Sequence, residues 1–247
     1  MPTHETGHYK NVAALEEMIL KITAMGTAYN PSKAAIKIAS LQTLFTNAKA
    51  DYLAVSPLST AFNNAVNDRI TVYQPYKSYA TKILAAFKSS SDASAQKVKD
   101  LTTINRKIQG SRASKIDNVP VDPNAPAPNN ISVSQQSYDM KFDNFSKLYD
   151  ILTSEATYLP NETELKLPAI QTFKTSLLTA NTNVAAAYES VNSARLKRDK
   201  TLYKDVTGVY DIQNLVKEYV KGVYGASSIQ YKQMVAIKFT KPRKLYI

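Results

Sequence analysis

The residues His4-Glu5-Thr6-Gly7-His8 spell the H-E-x-x-H pattern. In that pattern two imidazoles one helical turn apart can hold zinc while the Glu activates a metal-bound water. These are the only two histidines in the chain, so no third His ligand is present. Gly7 weakens the helix that the spacing requires, and Pro2 and the nearby chain end favour fraying. The expectation is a plain N-terminal arm with no metal. Without another histidine to act as base, a Ser-His-Asp constellation is not expected. Cys is absent, which rules out disulfides, thiolate metal sites and cysteine nucleophiles.

The carboxylates form no acid pair suited to proton transfer. Glu16-Glu17 read as a solvated helix face, and Asn161-Glu162-Thr163-Glu164 as an acidic first turn complementing a helix dipole. The six glycines spell neither G-x-G-x-x-G nor G-x-x-x-x-G-K, so nothing cradles a nucleotide phosphate in either of those ways. We expect no catalytic residue, no cofactor and no metal.

Cations are the stronger signal. The formal charge is +11 and the pI about 9.5, a balance that attracts polyanions such as nucleic acid, acidic lipid or an acidic protein. Lys97, Lys99, Arg106, Lys107, Arg112 and Lys115 crowd one stretch, and Lys232, Lys238, Lys241, Arg243 and Lys244 another. A third cluster, Arg195-Leu196-Lys197-Arg198-Asp199-Lys200, contributes Arg195, Lys197 and Arg198 as candidate polyanion contacts. Tyr79, Tyr219, Tyr224, Tyr231 and Tyr246 lie among lysines and could stack on bases. Solvated helix faces and a basic tail account for the same residues without any ligand.

The elements that would position these groups are helical. Val12, Leu15, Met18, Ile19 and Ile22 follow one another at helical spacing. A shift of about 130 residues yields Phe142, Phe145, Leu148, Tyr149 and Leu152, a face of the same kind. Further matches keep their order: Tyr29-Asn30-Pro31 with Tyr158-Leu159-Pro160, Leu41-Gln42-Thr43-Leu44 with Ile170-Gln171-Thr172-Phe173, and Arg69 with Arg198. Thr71-Val72-Tyr73 answers Thr201-Leu202-Tyr203, and Ser94-Ala95-Gln96 answers Ser228-Ile229-Gln230. The chain therefore reads as a duplication. Residues 1–110 form the first repeat, 111–133 a Pro/Asn-rich linker, and 134–247 the second repeat with a basic C-terminal tail. Pro120, Pro123, Pro126 and Pro128 keep the linker from being helical. Ser134 is expected to cap the helix that follows.

Each repeat reads as a short helix, a long helix and a C-terminal helical segment. From Leu41 the positions Phe45, Ala48, Tyr52, Val55, Ser59, Phe62, Val66, Arg69 and Tyr73 keep a 4-3 spacing straight through Ser56-Pro57. Pro57 either sits inside one helix or, with Ser56 as its cap, opens a second. The second repeat favours one helix, because no Pro or Gly falls between Ala169 and Asp205. Tyr79–Phe87 and Val209–Val220 read as shorter helices, the latter ended by Gly222 and Gly225, and Met234–Tyr246 as an extended tail.

Hydrophobic residues make up 44% and charged residues 21%, which suits a folded domain, and so few glycines suit helices better than strands. The fold class expected is all-α: an elongated helical bundle of two tandem, pseudo-twofold-related repeats with long central helices. No apolar run reaches the roughly 18 residues that would span a bilayer, and no signal peptide is evident, so a cytoplasmic location is expected. The function expected is a non-catalytic scaffold or adaptor acting through its long helices on a protein partner or on itself. The alternative is a nucleic-acid-binding protein using its cationic ends. A membrane surface is a weaker candidate partner, because no amphipathic helix has a bulky apolar face.

Overall fold

The computed structural model describes residues 5–110 and 136–242. Among the described residues the chain forms only α-helices and short 3-10 turns, with no strand. The helices are α1 (Glu5–Ala24), α2 (Ile38–Tyr73), α3 (Tyr76–Ser90), α4 (Ala95–Gln109), α5 (Tyr138–Thr153), α6 (Leu167–Tyr203), α7 (Val209–Tyr224) and α8 (Ile229–Ala236). None of them is long and apolar enough to cross a membrane.

Local chemistry explains most boundaries. The hydroxyls of Ser94, Ser137 and Ser228 accept hydrogen bonds from the amides of Lys97, Met140 and Tyr231, capping α4, α5 and α8. The cap of α5 is thus Ser137; Ser134, expected in that role, lies outside the described residues. Gly225 ends α7, whereas Gly222 sits within it. The tail expected from Met234 onward begins inside α8 and leaves regular structure at Ile237. The N-terminal segment is not a loose arm: α1 includes His8, which is buried, while His4 lies outside the described residues.

Pro57 lies within α2, so the long helix is continuous over 36 residues. Proline removes the amide that would bond the carbonyl of Leu53 one turn earlier. Both Pro57 and Leu53 are exposed, so water can satisfy that carbonyl. The second long helix, α6, is 37 residues and keeps its one proline, Pro168, in the first turn, where no intrahelical donor is lost.

A tyrosine latch precedes each long helix. Tyr29 Oη donates to the carbonyl of Ile36 at 2.7 Å, and Tyr158 Oη donates to the carbonyl of Leu165 at 2.8 Å. Each bond ties a proline-containing turn to a 3-10 turn, Ala34–Ile36 or Thr163–Leu165. The rings, with Pro31 and Pro160, are buried.

Two compact units result, and neither coincides with a repeat expected from the sequence. The first gathers the described residues up to Asn63 and from Ala187 onward; the second comprises those between Asn64 and Ala186. In the first unit Leu15, Met18 and Ile22 of α1 share a core with Leu41 and Ala48 of α2, Leu202 and Tyr203 of α6, and Val209, Val216 and Val220 of α7. In the second, Phe145, Leu148 and Leu152 of α5 join Tyr73 of α2, Ile83 and Phe87 of α3, Leu101 and Ile108 of α4, and Ile170 and Leu177 of α6. Each core therefore combines segments from both sides of the 111–133 stretch.

The first unit also binds its own C-terminal strap. The Asn11 side chain grips Thr240 through Nδ2 to the carbonyl at 2.7 Å and the Thr240 amide to Oδ1 at 2.9 Å. Lys217 Nζ donates to the carbonyl of Ile237 at 2.9 Å, and burial together with nearby Lys238 lowers the Lys217 pKa.

Two expectations follow. A fragment ending at residue 110 lacks α5, α6, α7 and α8, so it should show no cooperative monomeric melt by circular dichroism; a two-state melt of the isolated monomer would contradict the shared cores. Tyr158→Phe should cost about 1–2 kcal/mol in urea melts, because the buried Leu165 carbonyl loses its donor. Burial, with Tyr79 and Glu162 nearby, raises Tyr158 from 10.0 to about 12. A raised phenol stabilises fully below the unfolded value and loses that contribution as pH climbs through the folded one. Wild-type stability should fall between pH 10 and 12, and the Phe variant should fall less steeply across that window.

Candidate functional site

A groove of about 530 Å³ opens in the first unit between α2 and α6. From α2 come Leu44, Asn47, Ala50 and Asp51; from α6 come Lys197, Lys200 and Thr201; Lys204 and Thr207 belong to the following turn. Lys197 and Lys200 lie one turn apart on α6, and Lys204, whose amide donates to the Lys200 carbonyl at 3.1 Å, continues that face into the turn. Lys197 Nζ lies 2.9 Å from Asp51 Oδ1, and Thr201 Oγ1 donates to Asp51 Oδ2 at 2.7 Å. Asp51 is the only carboxylate in the lining; its side chain is 7% exposed against 74% for Lys197. Burial of the carboxylate is tolerable because both oxygens have partners.

The turn after α6 is under backbone strain. Val206 has φ of 69°, a left-handed conformation disfavoured for a β-branched side chain. Its amide donates to Asp211 Oδ2 at 2.7 Å, which holds the conformation in place. Two residues on, Gly208 passes so near the Lys204 backbone that an added Cβ would sit 2.7 Å from the Lys204 nitrogen. Only glycine fits there. The strained turn carries Thr207 to the groove.

The candidate polyanion contacts are divided between the two units. Lys97, Lys99, Arg106 and Lys107 belong to the second unit; Arg195, Lys197, Arg198, Lys232, Lys238 and Lys241 belong to the first. Arg112, Lys115, Arg243 and Lys244 lie outside the described residues. Lys97 is engaged by Glu155 at 3.1 Å and by the Ser154 carbonyl at 2.9 Å; the Thr157 hydroxyl, and then Lys97, hold the Glu155 carboxyl below its ordinary pKa. Lys241 pairs with Asp205 at 3.6 Å. Arg198 is buried, with Nη2 2.8 Å from Asp199 Oδ1, so it faces no external polyanion. Lys99, Lys107, Lys232 and Lys238 are exposed, and Arg106 and Arg195 half-buried.

The tyrosines proposed as stacking platforms are turned inward. Tyr79 meets Phe173 edge-on at 5.0 Å, Tyr219 meets Tyr29 edge-on at 5.1 Å, and Tyr224 and Tyr231 pack against the first core. Tyr246 lies outside the described residues. His8 Nδ1 lies 2.8 Å from Tyr203 Oη, which also accepts from Asn11 Nδ2 at 3.1 Å, so this imidazole is part of the core packing.

Lys204, Thr207, Asn47 and Asp51 were not anticipated from the sequence. The spacing of Lys197, Lys200 and Lys204 was legible; the arrival of α2 beside them was not. Relief of the backbone strain should be measurable: Val206→Gly is expected to raise stability by about 1 kcal/mol, as glycine adopts the left-handed region freely, and a destabilised variant in thermal melts would refute the strain.

No family model, curated protein or solved structure matches the chain, so its function has to be read from its own chemistry.

Proposed function

We propose that the chain is a non-catalytic interaction protein, a duplicated helical scaffold that presents the middle stretches of α2 and α6 to a protein partner, a second copy of itself foremost. One observation carries this reading. The two cores use the ends of both long helices; between Ala48 and Tyr73 and between Leu177 and Leu202 the buried apolar residues are Val55, Ala180, Val184 and Val191, which belong to neither core. Large apolar side chains stand exposed along those stretches: Leu53, Ile70, Leu178, Tyr188 and Leu196. Leu53, Tyr188 and Leu196 belong to the first unit and Ile70 and Leu178 to the second, and exposed apolar groups that gather into a patch mark association surfaces.

The duplication, with pseudo-twofold repeats that exchange their C-terminal helices, draws support from paired environments. Leu15 and Phe145, Met18 and Leu148, Ile22 and Leu152, Leu41 and Ile170, and Ala48 and Leu177 are buried in both members. The Tyr29 and Tyr158 latches repeat the same seven-residue bond at corresponding places. Nucleic-acid binding through the cationic ends ranks second. Exposed Lys99, Lys107 and Lys232 favour it, while the inward-turned tyrosines remove the stacking contribution.

Sedimentation velocity over a salt series tests the leading reading. Copies carrying +11 repel one another, so association through apolar stretches should strengthen as salt screens that charge. Leu53→Glu with Leu196→Glu should abolish it without lowering the melting temperature. A strict monomer at every salt concentration would sink the self-association. A gel shift that weakens steeply with salt would promote the nucleic-acid reading instead.

A further inference from the structure

We propose that the groove between α2 and α6 binds a linear oligophosphate, recognised through its phosphate oxygens alone. This goes beyond the scaffold reading and does not depend on it. Lys197, Lys200 and Lys204 leave one face of the chain within about 10 Å of helix axis, at about 1.5 Å per residue. A row of ammonium groups over that span suits successive phosphates better than a single anion.

The lining distributes its charges accordingly. Asp51 has one oxygen on Lys197 and the other on Thr201, so its negative charge is engaged within the wall. Lys200 and Lys204 have no carboxylate partner among the described residues, which leaves two cations free for a ligand. Asn47 and Thr207 add an amide and a hydroxyl as uncharged donors. The lining contains no aromatic ring and one large aliphatic side chain, Leu44. A base would have nothing to stack on, and an acyl chain little to bury against. The volume of about 530 Å³ exceeds what one phosphate fills. Finally, the wall includes a turn whose Val206 is held in a disfavoured conformation, the kind of strain that persists where a surface has a task.

Titration calorimetry of the full chain with inorganic tripolyphosphate at physiological ionic strength tests the site. We expect saturable binding at one site per chain, weaker for orthophosphate. The variant Lys200→Gln with Lys204→Gln should lose about tenfold or more in affinity. Lys99→Gln with Lys107→Gln removes the same charge from exposed positions on α4 and should change affinity less than about twofold. ATP should bind no more tightly than tripolyphosphate. All four lysines are exposed, so thermal melts should find both variants folded, and Lys204→Gln alone provides a milder variant with the same direction of effect. Absence of saturable binding overturns the proposal. So does equal weakening in the two double variants, which would mean unlocalised attraction, and so does a marked preference for ATP, which would mean recognition of the base.

Discussion

The apolar stripes of α1 and α5 are covered by helices from the opposite half of the chain. α1 packs with α7, and α5 with α4. A helix of 16 or 20 residues with one apolar face cannot hold itself together in water, because nucleation and chain entropy oppose it. Covering both stripes this way means that neither half owns a complete core, and the remaining architecture follows. Folding has to bring residues such as Met18 and Val216 into one core across almost the whole chain, a demand on loop closure that local helical bundles avoid.

The long helices satisfy this constraint unevenly. α2 gives Leu41 and Ala48 to one core and Tyr73 to the other; α6 gives Ile170 and Leu177 to one and Leu202 and Tyr203 to the other. Between those ends Val55, Ala180, Val184 and Val191 are buried, Phe62 meets Tyr188 at 5.8 Å, and Arg198 is neutralised by its neighbour Asp199. A buried ion pair of this kind adds little net stability, because desolvation offsets attraction, but its loss would leave a charge uncovered. The groove opens beside that stretch, where α2 and α6 face each other through Asp51 and Lys197.

Periodicity made the helices legible and connectivity hid the units. The stripe Leu15, Met18, Ile22 and its partner Phe145, Leu148, Leu152 were readable because helical spacing is local information. Continuity through Pro57 was readable for the same reason: Val55, Phe62 and Val66 keep phase across it. Which stripe covers which is non-local, and composition says nothing of it. Arg198 shows how a local clue can be overruled by another: its charge suggested a surface contact, but it follows Val184 and Val191 at steps of seven, the phase of buried positions. Ser134 and Ser137 are equivalent by residue type, and only the start of α5 at Tyr138 separates them. The strain at Val206 had no signature in the sequence, since valine gives no hint of a left-handed backbone.

On the proposed duplication the groove belongs to the first unit and has no counterpart in the second. The position matching Lys197 carries Asp68, the one matching Asp51 carries Ala180, and the one matching Lys204 carries Gln74. The pair that closes the groove wall in the first unit therefore has no chemical counterpart in the second. The turns diverge too. After α2 only Gln74 and Pro75 intervene before α3, whereas after α6 five residues, Lys204 to Gly208, precede α7. That longer turn contains the strained Val206, the tight Gly208 and the groove hydroxyl of Thr207. Packing alone would be served by the same short turn in both places, since Tyr73 and Tyr203 are buried alike at the two helix ends. A costlier turn and an added row of cations, confined to one of two otherwise matching environments, are what a ligand-specific demand on that unit would produce.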